Sequence, residues 1–516
     1  MIRIRSGGFA AVAAVVVAGM LSGCDPAAGE ALPGRIREQV IAWHDCRTGA
    51  EDEAGAKLAA AGARCGEFQA PLNYADPAGA SITIAVARRA ATDPAHRLGT
   101  LVVQTGGPGP SRDGVNMLVD GPEGGHPAAA ELGARFDLVG MDPRFFGSSS
   151  PLECGWPTSA YLGIAQAAPS EREGFERTVS AARELAGRCT PYRESLPYAS
   201  TRTIARDMDL LRTLLGESTM SYLGWSWGTY LGAVYLEMFG DRVDRMVLDS
   251  ALDPGAPGPD LTRDTAAADA AALADWVRWA ADRNDEFGLG STENAVLATV
   301  DAMHRAISAH PVTLGEVTIT GDLVPGLLLT VDDSDESYSA MGQQVRELYD
   351  ASRGLAVEPS PVLAGKLALY ADTAVAPEFG FSATVANQCA DRPARTPDAY
   401  FDDMRTHLNA EPFFGPLARH VTPCAVWPVG PAEPATEIGN SHPALLIGAS
   451  GDPVAPFTGQ RALRQALTGA RSVTVAGAFR HGVYLNESSR CVDGAVERYL
   501  LTGALPSTDM TCAREH

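Results

Sequence analysis

The sequence lacks positive charge: 41 lysines and arginines face 63 aspartates and glutamates, a formal net charge of −22 over 516 residues. An excess of that sign repels phosphate backbones, so nucleic acid is excluded as a first choice of partner. It also lacks a Cys-x-x-Cys pair and a His-x-x-x-His cluster, which argues against a structural metal and leaves the metal-ligand set empty. There is no internal repeat, no collagen period and no long low-complexity tract, although 53 Gly and 35 Pro are dispersed along the chain. Beyond the first two dozen residues there is no apolar run long enough to cross a bilayer. What remains is ordinary for a folded protein, with 45% hydrophobic and 20% charged residues in a chain long enough for about three domain-equivalents.

The one long apolar run is an address. Arg3 and Arg5 precede the apolar stretch Phe9 to Leu21, and small residues Ser22 and Gly23 precede Cys24. This is the layout of a cleaved export signal. Leu21-Ser22-Gly23-Cys24 has the form of a bacterial lipobox, so residues 1–23 are expected to be removed and Cys24 to carry lipid. With Cys24 so used, eight of the nine cysteines remain, an even set that an exported protein uses for disulfides. Eight cysteines allow 105 pairings. Proximity along the chain suggests Cys46–Cys65, Cys154–Cys189, Cys389–Cys424 and Cys491–Cys512.

Short apolar runs that end in turn residues and lead into helical patterns alternate as in a parallel α/β sheet. Leu101-Val102-Val103 runs to Gly106-Gly107-Pro108-Gly109, and Phe136 to Gly140 runs to Asp142-Pro143-Arg144. Tyr222-Leu223 meets Gly224, Met246-Val247-Leu248 meets Asp249, Ala444 to Ile447 leads to Gly451-Asp452-Pro453, and Val473-Thr474-Val475 precedes His481. In such sheets, functional groups sit just beyond the carboxyl ends of strands. Ser81 to Arg89 alternates Ile82, Ile84 and Val86 as an early strand, and Thr203 to Leu215 places Ile204, Met208, Leu211 and Leu215 on one helical face. The alternation stops between about 260 and 435, a stretch rich in Ala, Leu and acidic residues that reads as a helical cap. The expected organisation is therefore signal 1–23, extension 24–66, core 67–260, cap 261–435 and core 436–516.

Gly224-Trp225-Ser226-Trp227-Gly228 is a G-x-S-x-G set between a strand and a helix, the context in which a tight turn holds a serine hydroxyl above the sheet. A serine needs a histidine to accept its proton and a carboxylate to orient that histidine. Of the histidines in the last quarter of the chain, His481 alone follows a strand-like run and precedes a glycine; Asp452 follows the strand before it. Ser226, Asp452 and His481, in that chain order, are the candidate triad. Negative charge on a tetrahedral intermediate needs N–H donors. The backbone amide of Trp227 is one candidate and that of Gly107 the other, with Gly106 second, since Pro108 has no N–H. This chemistry requires no cofactor.

Together, the Gly106 to Gly109 loop, Phe136 to Arg144, Gly224 to Gly232, Asp241 to Asp249 and Arg490-Cys491-Val492-Asp493 resemble exported tripeptidyl-aminopeptidase-like α/β-hydrolases of actinobacteria. That group is similar to proline iminopeptidases and includes cell-envelope lipoproteins known as proteases or carboxylesterases. The resemblance spans about residues 65 to 512. It implies an α/β-hydrolase core, a helical cap inserted before the acidic residue, the triad above and release of short peptides from free N-termini. A carboxylesterase, an endopeptidase and an inactive lipid-anchored binding protein stay open as alternatives. Asp391, in a loop near the expected Cys389 cystine, is a candidate to hold the substrate ammonium; a helix-capping aspartate is the competing reading. The chain departs from the group at Phe145-Phe146, where glycine is usual, and at Ala455, where threonine is common. A cap cysteine pair is also missing around Trp279-Ala280 and Phe287.

Overall fold

A computed structural model describes residues 32–119, 127–486 and 489–514. Cys24 and the expected signal lie outside the described residues. The strands are β1 (His44–Asp45), β2 (Arg64–Pro71), β3 (Ser81–Arg89), β4 (Gly99–Gln104), β5 (Phe136–Met141), β6 (Met220–Trp225), β7 (Val243–Asp249), β8 (Val312–Leu314), β9 (Val317–Ile319), β10 (Leu445–Ala449), β11 (Arg471–Ala476) and β12 (Met510–Ala513). Ten of them form one sheet in the order β1-β2-β3-β5-β4-β6-β7-β10-β11-β12, and β8 pairs only with β9. From β5 to β12 every pairing is parallel; β1–β2, β2–β3 and β3–β5 are antiparallel.

The central parallel strands are mostly apolar because both of their faces are covered, and every residue of β5 and β6 is buried. Alternation sends Val102, Tyr222, Met246 and Leu248 to one side, against helices Thr201–Leu214 and Trp227–Phe239. Leu101, Val103, Leu223 and Val247 go to the other side, against helix Arg490–Thr502. Helix Thr201–Leu214 starts where Ser200 accepts a hydrogen bond from Thr203 N, and it buries Ile204, Met208 and Leu211 as their spacing predicts.

Between β7 and β10 lies a mostly helical region, including helices Ala266–Ala281, Glu293–Ala309, Asp335–Ser352, Pro361–Ala371 and Phe381–Asp391. It has its own core around Trp276, Val300, Met303, Val345 and Leu348. Helices Thr158–Ala165 and Arg172–Arg188, between β5 and β6, contribute Ile164 and Leu185 to a cluster shared with Ala383, Ala386 and Cys389.

The eight cysteines form the disulfides Cys46–Cys65, Cys154–Cys189, Cys389–Cys424 and Cys491–Cys512, each closing 35 residues or fewer. Two of them sit at the ends of the sheet, where unpaired strand edges invite association. Cys46–Cys65 ties the segment after β1 to β2, and Cys491–Cys512 ties a covering helix to β12. No helix among the described residues is long and apolar enough to cross a membrane.

Candidate active site

Ser226 stands between β6 and helix Trp227–Phe239 with φ 54° and ψ −123°, a conformation that a residue with a side chain adopts only under strain. The flanking glycines make the turn possible. A Cβ on Gly224 would lie 2.7 Å from Gly228 O, and one on Gly228 would lie 3.1 Å from Gln104 O of β4. Ser226 N donates to Asp249 O at 2.9 Å, and Thr229 Oγ1 donates to Ser226 O at 2.6 Å. Ser226 is half-buried, and its Oγ makes no hydrogen bond among the described residues.

Asp452, fully buried, lies just beyond β10. Its Oδ1 accepts from Val454 N and Ala455 N, both at 2.9 Å, and its Oδ2 lies 3.0 Å from His481 Nδ1. Two backbone amides thus hold the carboxylate at the place where Ala455 lacks the hydroxyl common in the group. The His481 side chain retains 17% of its exposure. Its burial favours the neutral ring, but the Asp452 hydrogen bond and charge, with Asp249 nearby, outweigh that and raise its pKa above the ordinary imidazole value.

The His481 loop is held from two sides. Below, Asp249 at the end of β7 accepts from Val483 N and Tyr484 N at 3.0 and 2.7 Å, and Ser250 Oγ accepts from Gly482 N at 2.8 Å. Burial pushes the Asp249 carboxyl up to about 7 against the pull of those donors. Above, the cap supplies Val331 O as acceptor for His481 N at 2.9 Å and Asp333 as acceptor for Phe479 N at 2.7 Å. The same loop packs on the residue before Ser226: a Cβ on Gly482 would lie 3.8 Å from Trp225 Cδ1, and Trp225 stacks on Tyr484. Asp249, Val331 and Asp333 were given no role in the sequence reading. An aspartate ending a buried strand was the available signal for Asp249; the cap contacts had none.

The loop after β4 meets the serine from the other side. Gly106 and Gly107 have φ of 102° and 105°. A Cβ on Gly106 would lie 3.0 Å from Ser226 Cβ and 2.8 Å from Trp225 O, so only glycine passes there. Trp227 is the first residue of its helix, whose leading amides have no acceptor within the helix. The cap reaches this loop through Thr384 Oγ1, which donates to Pro108 O at 3.0 Å.

Asp391, the candidate for the substrate ammonium, is engaged by the protein itself. Both of its oxygens are engaged at 2.6 Å, by Thr201 N and Thr201 Oγ1, at the start of helix Thr201–Leu214. Burial pushes its pKa up to about 7, and the bonds from Thr201 oppose the shift. It lies seven residues along its helix from Thr384, about 10 Å by helical rise. The geometry is that of a carboxyl capping a neighbouring helix. Phe145 and Phe146 are buried in the cluster shared with the cap. Where the cap cysteines are missing, the Trp279 and Phe287 rings pack with centroids 5.7 Å apart.

Comparison with known proteins fits this arrangement. A sequence profile of the family described as TAP-like protein matches residues 411–512, the stretch that carries Asp452 and His481. The chain is 30% identical to tripeptidyl aminopeptidase of Streptomyces coelicolor over 463 residues, covering 87% of this chain and 83% of the relative. It is 28% identical to serine protease Hip1 of Mycobacterium tuberculosis, covering 98% and 97%. Carboxylesterase B of the same species is 31% identical, covering 95% and 93%. Fold and relatives define a serine hydrolase of the α/β-hydrolase fold. The chain belongs to the tripeptidyl aminopeptidase-like family of these enzymes.

Proposed function

We propose that this serine hydrolase is an exported peptidase that releases tripeptides from free N-termini through an acyl-enzyme. Ser226 Oγ bonds to the scissile carbonyl carbon as His481 Nε2 takes its proton, and the amides of Trp227 and Gly107 hold the resulting oxyanion. The carbon–nitrogen bond breaks as His481 returns the proton to the leaving amine. Water then attacks the ester by the same route, giving a free carboxylate and regenerating Ser226. Asp452 keeps His481 in the working tautomer throughout. The observation that carries the reading is the Asp452–His481 contact at 3.0 Å on a loop packed beside a serine at positive φ.

The name of the Streptomyces relative supports tripeptide release, and the Mycobacterium carboxylesterase favours ester cleavage as a second reading. A tripeptide anilide with a free amine is expected to turn over at least ~10-fold faster than its N-acetylated form, because an exopeptidase draws binding energy from the ammonium. Equal rates would transfer the chain to the esterase or endopeptidase reading.

Four disulfides fit export. Lipid on Cys24 belongs to the same proposal and rests on the lipobox. The mature protein is expected in the detergent phase of a phase-partition assay and Cys24→Ser in the aqueous phase; identical partitioning would discard the anchor.

A further inference from the structure

A cavity of about 120 Å³ lies between helix Thr158–Ala165, the loop after β7 and cap helix Phe381–Asp391. Its walls include apolar Leu261, Val385 and Pro423 and polar Tyr161, Thr262, Gln388, His420 and Thr422. Thr422 Oγ1 is buried with no hydrogen-bond partner among the described residues, the Tyr161 hydroxyl and the Gln388 amide make no hydrogen bond to another described residue, and His420 uses only Nδ1, 2.8 Å from Leu417 O. An apolar hollow with a few polar groups free to bond an occupant has the make-up of a ligand site.

A chain of contacts links the cavity to the serine. Gln388 lies one helical turn, roughly 5–6 Å, beyond Thr384, whose hydroxyl bonds Pro108 O in the loop that abuts Ser226. The walls are also fixed in advance. Tyr161 stacks on Phe381 with centroids 4.3 Å apart, Thr262 Oγ1 donates to Ala418 O at 2.9 Å, and Arg392 ties down Pro254 O and Pro257 O at 3.0 Å each.

No Asp, Glu, Lys or Arg lines the cavity among the described residues. Burial lowers the His420 pKa and pushes the Tyr161 hydroxyl up to about 12, so both are neutral near pH 7. A charged group entering would find no partner of opposite sign. In size, the space approaches the cavity of about 150 Å³ known to admit benzene. We infer that this cavity is a specificity pocket that takes an uncharged substrate side chain, of branched-aliphatic to aromatic size, close to the scissile bond. The inference rests on the peptidase reading above.

The test compares wild type with Gln388→Glu, a near-isosteric change that places a carboxylate in the wall. Free-amine tripeptide anilides carry Leu, Gln, Lys or Asp at one position at a time, and rates are expressed per site labelled by a fluorophosphonate. At one position wild type is expected to prefer Leu and Gln over Lys and Asp by at least ~10-fold in kcat/KM. Gln388→Glu is expected to raise the Lys-to-Leu ratio at that position by a similar factor and to leave the ratios elsewhere unchanged. An unchanged ratio at every position would overturn the pocket. If labelled wild type cleaves none of these peptides, the peptidase reading fails by itself. Nitrophenyl esters with neutral or cationic acyl chains then carry the same comparison, a shifted ratio supporting the pocket and an unshifted one overturning it.

Discussion

Ser226→Ala is expected to lower kcat/KM by at least ~10⁴-fold and to leave the melting temperature near that of wild type. The two halves of the expectation have separate causes. Activity is lost because no other group can form the ester, and the remaining rate is what the N–H donors supply to direct attack by water. Stability is kept because Ser226 Oγ makes no hydrogen bond among the described residues, so removing it leaves no partner unsatisfied. The backbone strain at φ 54° is the same for alanine. The pH profile adds a second signature. His481 must be neutral to accept the serine proton, and its pKa is raised. Wild-type kcat/KM should therefore fall as pH drops through a value above 6.5. The residual rate of Ser226→Ala should lack that limb. Assays from pH 5 to 9, with circular dichroism on both proteins, check each part; retention of more than about 1% of activity would remove Ser226 from the mechanism.

The structure draws Ser226, Asp452 and His481 into neighbouring loops, and those positions were legible because their signals are local. Each follows an apolar run in a parallel sheet, and such runs are readable when both faces of a strand are buried. The cystines were legible for a related reason: short closures put each partner within 35 residues. What escaped depends on distant partners. The sequence places Asp391 two residues after Cys389 and directly before Arg392, and neither neighbour shows what it binds. The group that engages it is Thr201, 190 residues earlier, and only the folded chain brings the two together. The cap segment 331–333 has no periodicity to announce it, yet it holds the loop of His481 through one carbonyl and one carboxylate. Phenylalanines at 145 and 146, where glycine is usual, would by size alone crowd the site. They instead fill the seam between core and cap, a choice that burial makes and residue type alone does not reveal.

Asp207→Ala is expected to destabilise the fold by about 3–5 kcal/mol, because it strands a buried charge. Arg144 and Asp207 are each fully buried and meet through two bonds, Nε to Oδ2 at 2.7 Å and Nη2 to Oδ1 at 2.6 Å. The guanidinium also donates to Pro71 O, Leu72 O and Tyr198 O, and Tyr74 OH donates to Asp207 Oδ1. One ion pair thereby joins the end of β2, the turn after β5 and helix Thr201–Leu214, the three elements under the cap-side cluster. Losing the carboxylate leaves a cation whose remaining partners are carbonyls, in surroundings that water does not reach. Replacing both members by apolar residues, as in Arg144→Met with Asp207→Leu, removes the charges together. It should be more stable than Asp207→Ala, because the desolvation penalty of a pair often offsets most of its attraction. Denaturant unfolding of the single and double variants separates the two contributions. A single variant within 1 kcal/mol of wild type would mean that water or another anion compensates Arg144, and the double variant would then show no recovery.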